Sequence, residues 1–104
     1  MPFSDYKTAL VTGASSGIGA ATVERLSREG ITVHALARSA DKLGELAART
    51  GCIVHAVDVA DLAAVTQVVE GLDIDILINN AGVDRPGSIL NATAEGIDAL
   101  IDVN

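Results

Sequence analysis

The sequence predicts an α/β fold built on a doubly wound parallel sheet, and two observations support this prediction. Short apolar runs alternate with longer segments whose apolar residues recur at helical spacing. Hydrophobic residues make up 49% of the chain and aromatic residues only 2%, so the core consists of Val, Ile, Leu and Ala, as in parallel strands buried on both faces. With 104 residues the chain forms one domain, residues 1–104.

Four apolar runs are predicted to be strands. Each is short and is bounded by glycine, aspartate or asparagine, which are typical of turns. Because strands and helices alternate with short connections, we expect right-handed crossovers and helices on both faces of the sheet. The predicted strands are Lys7–Thr12, Ile31–Ala37, Cys52–Val57 and Ile74–Ile78.

Three segments between these runs are predicted to be helices. Ser39 and Asp61 are expected to cap the second and third helices, since their side-chain oxygens can accept hydrogen bonds from the first turn. Glycines are expected to end all three, because glycine readily takes the conformation that follows a helix. The helices are Ile18–Glu29, ended by Gly30, Asp41–Arg49, ended by Gly51, and a short segment after Asp61, ended by Gly71.

A fourth helix is predicted after a loop at Gly82–Asn91, with Thr93 as its N-cap. Its apolar pattern is interrupted at Asn104, so we expect the native chain to continue. The fourth strand would leave an open sheet edge, which invites pairing with another chain. The buried face of this helix would consist of Ile97, Leu100 and Ile101.

Charge and composition disfavour several classes of function. A net charge of −7 repels nucleic acid and anionic membranes, and no apolar run approaches the ~18 residues of a membrane span. Cys52 is the one cysteine, so neither an internal disulfide nor a thiolate metal site is expected. The sequence predicts a cytoplasmic protein with no nucleic-acid partner, no membrane partner and no metal.

The segment Thr12–Gly19 reads Thr-Gly-Ala-Ser-Ser-Gly-Ile-Gly and joins the first strand to the first helix. Gly13 lets the chain leave the strand in a conformation that a Cβ resists, Gly17 leaves room for a pyrophosphate, and Gly19 lets the helix pack close to the sheet. A plain turn is the alternative, but the surrounding βαβ pattern favours a nucleotide cofactor. Further candidate contacts to phosphate oxygens are Ser15, Ser16 and Ile18.

The second predicted strand ends at Ala37-Arg38-Ser39. NAD(H) sites carry an acidic residue here that bonds the adenosine ribose. No carboxylate is present to repel a 2′-phosphate, and the Arg38 guanidinium can pair with one bidentately. Ser39 can add a hydroxyl. These residues favour NADP(H) over NAD(H); the alternative is a solvated Arg38 and a Ser39 that only caps a helix.

Polar residues also follow the third and fourth predicted strands. Asp58 can accept from an adenine amino group and the N–H of Val59 can reach a ring nitrogen, or Asp58 can simply form a turn. Asn79-Asn80-Ala81-Gly82 is either a strand stop or a small-residue wall beside the cofactor ribose. Ligands of parallel sheets lie at the carboxyl ends of strands, and every candidate falls at such an end.

Structural roles are expected for the other polar residues. His34 and His55 lie inside predicted strands and are expected to be core or edge histidines. A receiver-like signalling domain is disfavoured, because its acidic cluster is replaced here by the small residues of the Gly-rich turn. The carboxylates expected to solvate loops are Asp73, Asp75 and Asp84.

Together these motifs resemble the short-chain dehydrogenase/reductases. The resemblance covers Thr12–Gly19, Asp58-Val59, Asn79-Asn80-Ala81-Gly82 and the closing Asp102-Val103-Asn104, in the family's order and spacing. It implies a Rossmann-type sheet and an NAD(P)(H) oxidoreductase that acts on a small-molecule alcohol or carbonyl. It also implies a homo-oligomer.

The resemblance assigns a role to each matching residue. Arg38 matches the position where NADP-preferring members bind the 2′-phosphate. Asn104 matches the family's helix Asn, which helps a water-linked proton relay to the catalytic Lys. The remaining assignments are Gly13, Ser15, Ser16, Gly17, Ile18 and Gly19 to the pyrophosphate turn, Asp58 and Val59 to the adenine, and Asn80, Ala81 and Gly82 to the ribose.

Two departures from the family pattern bear on activity. The segment between Asp61 and Leu72 looks shorter than usual by about two helical turns. The catalytic Tyr-x-x-x-Lys is absent, since Tyr6 is the one tyrosine and Lys7 follows it directly. Loss of that general acid/base removes ~10²–10⁴-fold or more of catalysis. We therefore expect the cofactor-binding half of a longer enzyme, inactive alone, with a non-catalytic nucleotide-binding or interaction module as the alternative.

Overall fold

A computed structural model describes residues 6–15 and 17–80, and the backbone of 99–102. Strands and helices alternate up to the fourth strand, as the sequence predicts. The strands are β1 (Thr8–Thr12), β2 (Thr32–Ala37), β3 (Ile53–Ala56), β4 (Ile76–Asn79) and β5 (Ala99–Asp102). The helices of the described residues are α1 (Gly17–Arg28), α2 (Ala40–Thr50) and α3 (Leu62–Glu70).

The strands form one parallel sheet in the order β3-β2-β1-β4-β5. β1 lies between β2 and β4, so that Thr12 is opposite Leu36 on one side and Asn79 on the other. This order matches the first five strands of the 3-2-1-4-5-6 order of a Rossmann-type sheet. The predicted fold class is therefore confirmed.

Helices cover both faces of the sheet. On one face Val23 and Leu26 of α1 and Leu43 and Leu46 of α2 are buried against alternate residues of β1, β2 and β4. On the other face Val68 and Val69 of α3 pack with Leu72 against a smaller buried cluster. That cluster consists of Leu10, Leu36, Ile74 and Leu77.

The predicted caps of α2 and α3 are confirmed. Ser39 Oγ accepts a hydrogen bond from Lys42 N at 3.3 Å, and Asp61 Oδ1 accepts one from Ala64 N at 3.2 Å. Gly51 ends α2 with φ 77°, the left-handed conformation that favours glycine. The observed bounds differ from the predicted ones by one or two residues, which is the usual uncertainty at the ends of elements. No helix in the part of the chain described here is long and apolar enough to cross a membrane.

The predicted last helix is wrong over residues 99–102. These residues form β5, with Leu100 opposite Leu77 and Ile101 opposite Ile78. A short apolar run fits a helix or a buried strand equally well by spacing alone. Pairing also supplies partners for backbone groups of β4, so the open edge predicted beside the fourth strand is wrong as well. Thr93, Ile97 and the loop Gly82–Asn91 lie outside the described residues.

The loop role predicted for Asp75 is also wrong. Asp75 Oδ2 accepts hydrogen bonds from Lys7 N at 2.7 Å and Thr8 N at 3.0 Å, and Asp75 N donates to Thr8 O at 2.9 Å. The residue thus joins the start of β4 to the start of β1. Asp73 is exposed as predicted, and Asp84 lies outside the described residues.

Candidate functional site

The candidate site lies at the carboxyl ends of β1 and β4. In the sheet, β2 lies on one flank of β1, and β4 and β5 lie on the other. The connection that leaves β1 therefore runs toward β2, and the connection that leaves β4 runs the opposite way, toward β5. A crevice forms at such a switch point in open parallel sheets. The Gly-rich turn after β1 and Asn80 after β4 border it.

The Gly-rich turn packs tightly at one end and is open at the other. Gly13 has φ 62°, a conformation that side chains resist. A Cβ on Gly19 would lie 2.1 Å from Gly13 O, so the helix and the strand end approach more closely than any other residue permits. A Cβ on Gly17 would meet nothing within 4 Å in the part of the chain described. Ile18, next along α1, is 64% exposed.

A hydrogen-bond network ties the turn to the end of β4. The Thr12 hydroxyl donates to Asn79 Oδ1 at 2.8 Å and accepts from Asn80 N at 3.1 Å. Asn80 Nδ2 donates to Gly13 O at 3.4 Å. The buried Thr12 and Asn79 side chains therefore position Asn80 against the Gly-rich turn.

The end of β2 is connected to the same turn. Ala14 N donates to Leu36 O at 3.3 Å, which holds the turn beside the strand that leads to Arg38. Arg38 is exposed and, among the described residues, forms no salt bridge. The Ser39 hydroxyl caps α2. The guanidinium is thus available to a ligand, while the Ser39 oxygen already accepts one hydrogen bond.

Asp58 forms a turn at the end of β3. Its Oδ1 accepts from Ala60 N at 2.9 Å, and its carbonyl accepts from Asp61 N at 2.9 Å. The carboxylate is exposed. Val59 is half-buried and packs against the cluster beneath α3. The turn role considered for Asp58 is therefore present, and its exposed carboxylate still faces solvent.

Several predicted site residues lie outside the described part of the chain. These are Ser16, Ala81, Gly82 and Asn104. Sequence reasoning missed the positioning roles of Thr12 and Asn79, although both stand at strand ends next to predicted site residues. A polar residue closing each of two neighbouring apolar strands is the signal that points to such a pair.

The arrangement suits a phosphate group better than a metal ion. The N–H groups of a helix N-terminus and the positive end of the helix dipole favour an anion, and the space at Gly17 gives an anion access to the start of α1. In the described ranges, no three His, Cys, Asp or Glu side chains are grouped so as to hold a metal. Backbone groups at the start of α1 can therefore receive an anion.

The model of the short chain dehydrogenase family matches residues 7–104. The chain belongs to this family. A short-chain type dehydrogenase/reductase of Sinorhizobium fredii is 40% identical to it over 104 residues, which cover 99% of this chain and 42% of the relative. Serine 3-dehydrogenase of Rhizobium radiobacter is 43% identical over 83 residues, or 73% of this chain and 33% of the relative. The chain thus spans less than half the length of these two relatives.

A solved member of the short-chain dehydrogenase family has the same fold. A metagenomic short-chain oxidoreductase in complex with NADP superposes with a TM-score of 0.84 and 26% identity. The match covers 92% of this chain and 61% of that one. The family members that the chain resembles thus include a dehydrogenase and an oxidoreductase.

Proposed function

We propose that the chain binds NADP(H) and forms the cofactor-binding part of an oxidoreductase that interconverts an alcohol and a carbonyl. The observation that carries the proposal is the Gly-rich turn, in which Gly19 packs on Gly13 while the position of Gly17 stays open. A backbone this close to a helix N-terminus can receive a pyrophosphate. The NADP bound by the metagenomic oxidoreductase supports the same cofactor class.

Each candidate residue is assigned a role toward one part of the cofactor. Gly13, Ser15, Gly17, Ile18 and Gly19 would surround the pyrophosphate, with Ser16 between them in the sequence. We propose that Asp58 and Val59 flank the adenine, and that Asn80, Ala81 and Gly82 line a ribose. When bound, the cofactor supplies hydride transfer. The chain's own residues bind and orient it.

Arg38 is proposed to select the 2′-phosphate. It is exposed at the end of β2, close in sequence to Leu36, whose carbonyl accepts from Ala14 in the Gly-rich turn. The segment Ala37-Arg38-Ser39 contains no acidic residue that could bind a free ribose hydroxyl or repel the 2′-phosphate. These features favour NADP(H) over NAD(H).

The proposed assignment is tested by titrating the chain and two arginine variants with NADPH and NADH. Arg38→Ala should weaken NADPH binding roughly 10–100-fold, the value of a charge-assisted hydrogen bond of about 1.5–3 kcal/mol, and leave NADH binding nearly unchanged. Arg28→Ala is the matched control, because Arg28 is an exposed arginine at the far end of α1. Equal NADPH affinity in the two variants would show that Arg38 is not the phosphate ligand.

Catalysis is proposed to require residues that these 104 do not include. The only Tyr is followed directly by Lys, so the sequence holds no Tyr-x-x-x-Lys. We expect the chain to bind NADPH without reducing carbonyl compounds, with Asn104 contributing to the proton relay of a complete enzyme. Turnover by the purified chain in a cofactor-oxidation assay would contradict this division of roles.

A further inference from the structure

The two histidines of the chain contact each other across neighbouring strands. His34 lies on β2 and His55 on β3, two residues apart in register, since His55 is opposite Leu36. His34 Nδ1 and His55 Nε2 are 3.0 Å apart, and the ring planes are inclined by 21° with centroids 5.3 Å apart. The nearly parallel rings therefore meet through these two nitrogens, joined by a hydrogen bond.

This contact depends on the number of protons that the pair carries. A hydrogen bond between two imidazole nitrogens needs one N–H and one lone pair. When both rings are protonated, both nitrogens carry hydrogen, so the bond is lost and two positive charges face each other. The pair therefore holds the strands together when at least one of its rings is neutral.

The surroundings of the pair favour the neutral rings. Burial and the neighbouring charge of His55 lower the pKa of His34 from its usual value of 6.5. Burial lowers the pKa of His55 in the same direction. No carboxylate of the described residues is among the causes of either shift.

On each of the two strands, the histidine precedes a residue that is proposed to contact the adenosine end of the cofactor. β2 continues from His34 to Arg38, and β3 continues from His55 to Asp58. β3 is the last strand of the sheet and pairs only with β2 in the described residues. Beyond the pair, Val57 N donates to Ala37 O at 2.9 Å, so a change in the packing of β3 on β2 reaches Arg38 and Asp58 through the backbone.

We propose that the His34–His55 pair is a pH-sensitive contact that holds the edge strand β3 on β2, and through it positions the adenosine end of the cofactor site. The effect on the strands stands on the geometry of the pair. The effect on the cofactor rests in addition on the proposed function. Acid separates the two rings and loosens β3, while neutral pH restores the contact.

The direction of the pH dependence follows from the lowered pKa values. An unfolded histidine takes up a proton as the pH falls through its usual pKa of 6.5. Because the pKa values of the folded pair are lower, the folded chain holds fewer protons there than the unfolded chain in this pH range. The stabilisation is therefore fully present above that pH. It is lost as the pH falls from 6.5 through the lowered pKa values of the folded state.

The test compares the chain with the double variant His34→Gln/His55→Gln between pH 7.5 and 5.5. The chain has two histidines, so the variant has none, while glutamine can still hydrogen-bond across the strands. We expect acid to lower the Tm of the chain by roughly 4–8 °C more than that of the variant, a fall of about fivefold in the folding equilibrium constant. An equal acid-induced fall in both proteins would overturn the proposal.

Two measurements on the unaltered chain give independent answers. Ring proton NMR should show both histidines titrating below pH 6.5 in coupled steps, and amide protection in β3 should fall on acidification before protection in β1 falls. Independent titration of the rings at or above the usual pKa would overturn the proposal, even where the double variant does not fold. So would loss of protection in β1 and β3 together.

Cofactor binding is measured last with NADP⁺, which is stable in acid. The affinity of the chain should fall more between pH 7.5 and 5.5 than that of the double variant, and an equal fall in both would overturn the coupling to the site. If neither protein binds NADP⁺ at pH 7.5, the proposed function is wrong. The strand contact is then still decided by Tm, ring titration and amide protection.

Discussion

The Thr12 hydroxyl bonds to the side chain of Asn79, which is 67 residues away in the sequence, at 2.8 Å. It also accepts from Asn80 N at 3.1 Å. One buried hydroxyl thus fixes the ends of two neighbouring strands and the first residue of the loop beyond β4. The geometry of the crevice depends on this side chain as much as on the glycines around it.

Thr12→Val keeps the shape of the side chain but removes the hydroxyl. Because Asn79 Nδ2 already has no hydrogen-bond partner within the described residues, the whole buried amide would then be unpartnered there. We expect a loss of roughly 1–3 kcal/mol in the free energy of unfolding for each polar group left unpaired, measured by urea denaturation. Thr66→Val is the control, since its hydroxyl bonds to Leu62 O on an exposed helix face, and it should change stability by under about 0.5 kcal/mol. Equal effects would mean that the network contributes nothing.

Gly19→Ala should destabilise the protein severely. Its Cβ would lie 2.1 Å from the Gly13 carbonyl oxygen, a backbone atom that cannot move aside without displacing α1 or the end of β1. Gly44→Ala, inside α2 with nothing within 4 Å of the added Cβ, should instead stabilise by about 0.5–1 kcal/mol through helix propensity. Thermal denaturation of both variants checks the contrast. A tolerated Gly19→Ala would show that the close approach is not required.

Gly17→Ala separates binding from folding. The added Cβ meets nothing within 4 Å among the described residues, so the Tm should change little. If the pyrophosphate occupies this space, the methyl group should weaken NADPH binding, which fluorescence titration measures. Unchanged affinity would place the phosphate elsewhere.

Asp75→Ala should weaken the junction between the starts of β1 and β4. The carboxylate accepts from Lys7 N and Thr8 N at 2.7 and 3.0 Å, and hydrogen bonds to charged groups contribute about 1.5–3 kcal/mol when well formed. Partial exposure reduces that value, so we expect a loss of ~1–2 kcal/mol by urea denaturation. Asp73→Ala, at an exposed position two residues earlier, is the matched control. Similar stabilities of the two variants would contradict the role of Asp75.

Ser39 caps α2 and directly follows Arg38, the proposed ligand of the 2′-phosphate. Ser39→Ala should lower stability by about 1 kcal/mol, because Lys42 N loses its cap. Ser39→Asp retains a capping oxygen and should keep the stability, but its charge should repel a 2′-phosphate and shift the preference toward NADH. Thermal denaturation and paired NADPH and NADH titrations distinguish the two roles. Unaltered cofactor preference in Ser39→Asp would leave Ser39 as a cap alone.

The local features of the fold were predictable because they depend on neighbouring residues. Ser39 and Asp61 precede helices and cap them, and the glycine that ends α2 has the conformation that glycine favours. Gly19 packs on the strand end as its place in the motif indicates. Periodicity and turn residues specify such features within one or two turns of chain.

Features that depend on distant pairing were not predictable. The Asp75 contacts with Lys7 and Thr8 join residues 67 or 68 positions apart, and nothing near Asp75 in the sequence indicates its partners. His34 and His55 were correctly expected in strands, but their contact depends on the register between β2 and β3. The strand at Ala99–Asp102 was mistaken for a helix because its four residues are too short to show a period.

The central position of β1 determines when the crevice can form during synthesis. β1 and β2 pair through the short connection of α1, but the other wall needs β4, and Thr12 and Asn79 are separated by 67 residues. The chain must close this long loop before Asn80 can meet the Gly-rich turn. A ribosome must therefore have released nearly 80 residues of this chain before both walls of the crevice can come together.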